Sequence, residues 1–188
     1  PHPVAVGLLP SIRRPADNSL TVLAMGDLKS SVSRKNLLGA IDIYKLTFPQ
    51  ESSAAKLILK VQSEDTHARF QSAVCAAASG RGDIAVLSER LTDEEVGWLI
   101  AGADVFLSPH RSEGYGLAIA EALLAGVPAL ATGWSGNMDF MEALPELLIA
   151  YTLSPVSDDS GIYKIAGAEW AEPSKEDAMR KLRALAAS

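Results

Sequence analysis

Five short runs of almost unbroken apolar residues recur along this chain, and each of the first four leads into a longer stretch with helical spacing. The runs are "TVLAMG" (21–26), "AKLILKV" (55–61), "DIAVLS" (83–88), "DVFLS" (104–108) and "VPALAT" (127–132). A strand with one wet face alternates apolar and polar residues, whereas a strand covered on both faces is apolar throughout. These five are of the second kind. The intervening segments supply the cover. "NLLGAIDIYKLTF" puts Leu37, Leu38, Ile41, Tyr44, Leu46 and Phe48 mainly on one helical stripe, and "THARFQSAVCAAAS" repeats the pattern. "TDEEVGWLIAGA" opens on Thr92, an N-cap residue, followed by acids that suit the positive end of a helix. The order is βαβαβαβαβ, which implies a Rossmann-like, doubly wound parallel α/β sheet with helices on both faces. "LLIAYTL" (147–153) is read as a sixth strand, and "SKEDAMRKLRALAA" as a closing helix capped by Ser174 and docked through Ala178, Leu182 and Leu185. The first ten residues, "PHPVAVGLLP", hold three prolines and no initiating methionine. Residues 1–18 therefore read as a linker remnant from a longer protein, and 19–188 as the folded domain.

Several function classes are set aside by composition. The net charge is −6 and no basic cluster exceeds "SRK", which argues against a nucleic-acid partner. One cysteine, Cys75, allows no internal disulfide and no metal cluster, and it suits a reducing, cytoplasmic setting. No apolar run approaches the length of a membrane span.

In sheets of this class ligands bind where the carboxyl ends of strands run into loops, so the loops carry the functional argument. The first, "GDLKSSVSRKN", gathers Lys29, Arg34 and Lys35, with Lys35 beside a helix N-terminus. A cation there opposes the helix dipole unless an anion is shared, so a phosphate held by Arg34, Lys35 and backbone amides would resolve the conflict; a solvated basic loop is the alternative. The second is "SEGYGLAIAEALLAG" (112–126). Gly114 and Gly116 allow close approach of backbone to a ligand. From Leu117 to Ala125 every residue is apolar except Glu121, and a buried carboxylate needs a partner or a polar cavity. If Glu113 to Glu121 were helical throughout, the two acids would stand on the order of 12 Å apart. That is wide for the acid pair of a glycoside hydrolase, which needs about 5 to 9.5 Å, and better suited to the two ends of an extended ligand such as a nucleotide sugar. The third loop, "SERLTDE", offers Arg90 and Leu91 to a planar base, with a surface turn as the alternative. In "TGWSGNMDF" Asn137 occupies the last glycine position of a hydrolase elbow, so that motif fails. His110 adjoins the glycine loop and reads as structural. Trp98, Trp134 and Trp170 read as core or turn residues, and no metal-ligand spacing is present.

With these residues in place the sequence resembles the family 4 retaining glycosyltransferases of the two-domain GT-B fold. The Glu-seven-Glu pair of "SEGYGLAIAE" is the most diagnostic element, supported by "PHPV", "GDLKSSVSRKN", "GVPALATGWSGN", "YTLSPV" and "WAEPSKEDAMRKL". The resemblance implies the C-terminal, donor-binding domain. It implies that Glu113 contacts donor-sugar hydroxyls and that Glu121 binds the ribose. The backbone of Gly114, Tyr115, Gly116 and Leu117 would hold sugar and phosphate, and Lys35 would neutralise the departing diphosphate. Many relatives carry a second basic residue where this chain has Asp27; Arg34 is the candidate to replace it. Further implications are transfer with retention, no cofactor or metal requirement, and an N-terminal acceptor domain without which the chain transfers little. A glycan or lipid-linked acceptor, a role in surface polysaccharide synthesis, a GDP- or UDP-sugar donor with GDP-mannose favoured, and peripheral association with the cytoplasmic membrane through the other half complete the expectation. A non-catalytic nucleotide-sugar module and a GT-B epimerase or phosphorylase are the alternatives; nothing marks out a lysine for pyridoxal phosphate.

Overall fold

A computed structural model of the chain describes residues 19–27, 31–62, 68–158, 163 and 166–187. The expected linker (1–18) and Lys29 lie outside the described residues. In chain order the elements are β1 (Leu20–Asp27), α1 (Val32–Lys35), α2 (Leu37–Thr47), β2 (Ala55–Gln62), α3 (Ala68–Ala78), β3 (Ile84–Leu87), α4 (Asp93–Ala101), β4 (Val105–Ser108), α5 (Leu117–Leu124), β5 (Ala129–Thr132), α6 (Met138–Met141), β6 (Leu148–Ile149), β7 (Tyr151–Pro155), β8 (Glu169–Pro173) and α7 (Lys175–Ala186).

Strands β1 to β6 form one six-stranded sheet in the order β3-β2-β1-β4-β5-β6, every pairing parallel. The doubly wound expectation holds, and its reason is visible in β1. Val22 and Ala24 enter a core shared with α2, α3 and α7, while Leu23 enters a second core with α4, α5 and α6. Successive strand residues point to opposite faces, so a strand covered on both sides must be apolar at every position. Phe106 and Leu107 of β4 and Ala129 and Leu130 of β5 divide in the same way.

Helix starts follow the local chemistry. Thr92 accepts from the Glu95 amide and Glu95 answers to the Thr92 amide, a complete capping box; Ser174 accepts from the Asp177 amide. Two details differ from the sequence reading. On α2, Leu38 and Leu46 are exposed, and Ala40 and Ile43 fill the buried stripe instead. The run 147–153 is not one strand either. Only Leu148–Ile149 joins the sheet beside β5, and after Ala150 the chain turns into β7, which pairs antiparallel with β8 as a separate hairpin. Among the described residues no helix is long and apolar enough to cross a membrane.

Candidate functional site: a cleft at the switch point

Strand order reverses between β1 and β4, and loops leaving the carboxyl ends there must diverge to opposite faces, which opens a crevice. A cleft of about 550 Å³ occupies this place. Its walls are Met25, Gly26 and Asp27 of β1, Lys60 of β2, Val96 of α4, Lys35, the segment 113–118 and Glu121. Of the residues anticipated from sequence, Lys35, Glu113, Gly114, Tyr115, Gly116, Leu117 and Glu121 converge on it. Arg34, Arg90 and Leu91 are not among its walls. Arg90 is exposed, in the segment after β3.

The loop from Pro109 to Gly116 forms the cleft rim, and three neighbours hold it. Asn36, in the left-handed conformation at φ 53°, caps α2 through Gly39 and donates its amide to the Pro109 carbonyl at 2.8 Å. Arg111 donates Nη1 to the Ser33 carbonyl at 2.6 Å and Nε to Glu172 at 2.5 Å, and lies over the Trp170 ring. The β7–β8 hairpin, unforeseen in the sequence, thus anchors the rim from behind. On the third side, the Glu113 amide donates to Ser135 Oγ at 2.7 Å and the Gly136 amide donates to the Glu113 carbonyl at 3.1 Å. A side chain at Gly136 would overlap the Gly114 carbonyl, so only glycine fits there.

His110 is fully buried beneath this rim. Asn137 donates to the Thr132 carbonyl, which turns its Oδ1 toward His110 Nε2 at 3.1 Å, with the Trp134 carbonyl at 3.2 Å. Nδ1 lies 3.1 Å from both the Ser108 hydroxyl and the Ser108 carbonyl, so both ring nitrogens have partners within the fold. Burial pushes the imidazole below its ordinary value, so it stays neutral. His110 is a structural residue, as its isolation in the sequence implied. Trp170 is buried and Trp134 lies in a turn, whereas Trp98 on α4 is 41% exposed and belongs to neither class.

The charged groups divide into satisfied and unsatisfied. Glu113 is buried, yet two cations meet it: Lys35 Nζ at 2.6 Å and Arg34 Nη1 at 3.1 Å. Burial alone would raise its carboxyl, but Lys35 and Arg34 together hold it below the usual range. Arg34 also donates to the Ser112 carbonyl at 2.7 Å, so it braces Glu113 from outside the cleft. Glu121 is different. It lines the cleft, no described residue donates a hydrogen bond to it, and burial with Asp93 nearby raises its pKa. Its carboxyl group faces the cleft and not a protein donor.

Helix α5 begins later than the acid spacing assumed. Gly116, at φ 88°, is its N-cap and offers no side chain, so Glu113 sits in a loop and the 12 Å helical separation does not apply. The delayed start leaves the first amides of α5, at Leu117 and Ala118, uncapped beside the cleft. The two loop glycines serve different ends. A Cβ on Gly116 would press on Ile119 and Asn137 at 3.1 and 3.3 Å, whereas one on Gly114 would meet nothing within 4 Å. Sequence reasoning missed Lys60. A lysine near the carboxyl end of an otherwise apolar buried strand was the available signal.

Comparison with known proteins decides the family. A model described as Family 4 Glycosyltransferase in conflict systems matches residues 1–185. The chain belongs to this family. No curated protein matches it. Among solved structures, WaaG, a glycosyltransferase involved in lipopolysaccharide biosynthesis, superposes with TM-score 0.60 at 20% identity, covering 92% of this chain and 39% of that one. A UDP-forming α,α-trehalose-phosphate synthase from Burkholderia xenovorans gives 0.63 at 13% identity over 90% and 39%. Alr3699/HepE from Anabaena, in complex with UDP and glucose, gives 0.54 at 20% identity over 65% and 32%. The chain therefore has the Rossmann-like fold of a GT-B C-terminal domain and spans 32–39% of the length of these solved structures.

Proposed function

We propose that this domain is the donor-binding half of a retaining glycosyltransferase that takes its sugar from a nucleoside diphosphate sugar. The observation that carries the reading is the uncapped start of α5, set between an unpartnered carboxylate and an ion-paired lysine in one cleft. Helix amides and a lysine are a receptor for a diphosphate, and Glu121 is a receptor for sugar or ribose hydroxyls. Gly114 keeps the wall open where the diphosphate lies over the backbone. As the sugar–phosphate bond breaks, charge grows on the leaving diphosphate, and Lys35 with the α5 amides stabilises it more than the ground state. Glu113, oriented by Arg34, then reads hydroxyls of the transferred sugar with the lone pairs that Lys35 leaves free. Arg34 is in this account a positioning residue, not a phosphate ligand.

Both a UDP-forming synthase and a UDP complex stand among the structural neighbours, which supports uridine as a base to test beside guanosine. The acceptor belongs to an N-terminal domain of the GT-B pair, and a surface glycan or lipid-linked acceptor is the reading taken from the sequence. Membership of a conflict-system family favours a second reading, in which the acceptor is a molecule of a competitor or invader. Calorimetric titration of UDP, GDP and ADP, with Glu121→Ala and Lys35→Ala as controls, tests the donor assignment. Weaker binding by both variants is expected; no binding of any nucleotide at millimolar concentration overturns it.

A further inference from the structure

Lys60 has an unusual position for a lysine. It lies on β2 in register with Met25 of the neighbouring β1, between Leu59 and Val61, both fully buried. The residue itself is only 3% exposed, and what it exposes forms part of the cleft wall with Asp27. One hydrogen of its ammonium goes to the Glu89 carbonyl at 2.7 Å. An ammonium carries three. Burial pulls its pKa down while Asp27 and Glu89 oppose the shift, the mark of a cation whose surroundings only partly compensate it.

The charge balance of the cleft shows what this cation is for. Among the described residues its walls carry three acidic side chains, Asp27, Glu113 and Glu121, and two ammonium groups, Lys35 and Lys60. Lys35 is already matched to Glu113 at 2.6 Å, and Arg34 is turned to the outer side of the same carboxylate. A diphosphate entering this space brings at least two negative charges past the carboxyl groups of Glu113 and Glu121. At a few ångströms in a partly desolvated site each carboxylate opposes the ligand, and a second cation facing it offsets that repulsion. Among the described lining residues, Lys60 is the remaining candidate. A wholly structural lysine, serving only to tie β2 to the loop after β3 through Glu89, would not need to reach the cleft surface.

We propose that Lys60 is the second anion-holding residue of the cleft, gripping the phosphate of a nucleoside diphosphate that Lys35 does not hold. The inference rests on the nucleotide-sugar reading above and adds a second cation to its diphosphate receptor. It also makes the site selective by phosphate number, since a nucleoside alone gains nothing from Lys60.

The test compares uridine, UMP, UDP and inorganic pyrophosphate (with the guanosine series alongside) by calorimetry on the parent chain, Lys60→Met and Lys60→Arg. Lys60→Met keeps most of the stem and removes the charge; Lys60→Arg keeps the charge. Lys60→Met should weaken diphosphate binding at least tenfold and change nucleoside binding less than about twofold, and Lys60→Arg should recover part of the loss. Equal weakening of nucleoside and diphosphate would reveal a purely structural role and overturn the inference. As a measurement that needs no altered fold, the Lys60 15Nζ resonance of the parent chain should move on adding pyrophosphate, and an unmoved resonance also overturns it. The two readings fail separately. Diphosphate binding that ignores Lys60→Met removes this inference alone. Pyrophosphate binding through Lys60 without nucleotide binding removes the donor reading and leaves Lys60 as an anion site. Absence of both removes both.

Discussion

Gly114→Ala separates binding from stability in a way few substitutions in this domain can. A Cβ at this position meets no atom within 4 Å, and the backbone is not in the left-handed region. The added methyl therefore creates no strain in the folded chain and restricts the unfolded one, so stability should be unchanged or rise by about 0.4–1 kcal/mol. The same methyl projects from a cleft wall, where the proposed diphosphate packs against the backbone. Forcing an extra methyl into a packed contact costs about 1–3 kcal/mol. That corresponds to a five- to 150-fold loss of affinity, roughly. Two neighbouring glycines provide the contrast. Gly116→Ala imposes φ 88° on an alanine and crowds Ile119 and Asn137, and should lower stability by about 1–2 kcal/mol. Gly136→Ala collides with the Gly114 carbonyl, a backbone atom that cannot swing aside, and should lower stability further and distort the rim. Urea denaturation of the three variants, paired with calorimetric titration of UDP- and GDP-sugars, reads both axes. A Gly114→Ala chain that binds donor as tightly as its parent would refute the claim that the open space at Gly114 exists for a ligand.

Other outcomes follow from the same geometry. Glu121→Gln should leave stability unchanged or slightly higher, because a half-buried carboxylate without a donor is removed, while donor affinity falls; a matched loss of both by melting and titration would mean Glu121 has a structural partner. Glu113, whose pKa is held down in the folded chain, contributes stability that is fully present above the unfolded value of about 4.3 and is lost as pH falls through the lower folded value. Glu113→Gln should therefore cost roughly 1.5–3 kcal/mol at neutral pH and flatten the acid limb of a stability–pH profile. His110 carries the opposite charge logic. Its depressed pKa means the unfolded chain takes up a proton first, so stability falls as pH drops below about 6.5, and His110→Gln should remove that slope. Tyr44→Phe removes a bond to Asp83 at 3.1 Å, beside β3's amino end and away from the cleft. It should cost about 1.5 kcal/mol in urea denaturation without changing nucleotide affinity.

The sheet was readable in the sequence because burial on both faces writes itself into every residue of a strand, as in "TVLAMG". Where one strand was misjudged, the run was apolar enough but the sheet had room for only Leu148 and Ile149 of it. The exposed residues Tyr151 and Leu153 belong to a hairpin whose partner strand starts only at Glu169, and nothing local announces that pairing. The site was readable where a residue contradicts its surroundings. Glu121 in an apolar helix did so openly. Lys60 did so as well, but a lysine near a strand end is easily taken for one that reaches water. The pairing of Glu113 with Lys35 could not be read at all, since 78 residues separate them and each has an independent reason to occupy its loop.

What separates ligand-directed residues from supporting ones here is whether the protein alone satisfies them. His110, Asn137, Arg111 and Gly136 are complete: every bond they need, or the space they must leave, is accounted for within the fold. Gly114, Glu121 and the first α5 amides are incomplete, each lacking a neighbour that would justify its cost. All of them line one cleft. Changes to the complete set should register first in unfolding and only then in binding, and changes to the incomplete set in the reverse order. Glu113 stands between the two sets, since its ion pair with Lys35 is complete yet faces the cleft. Substituting it must move both readouts together, and that coupling is what a residue joining scaffold to ligand requires.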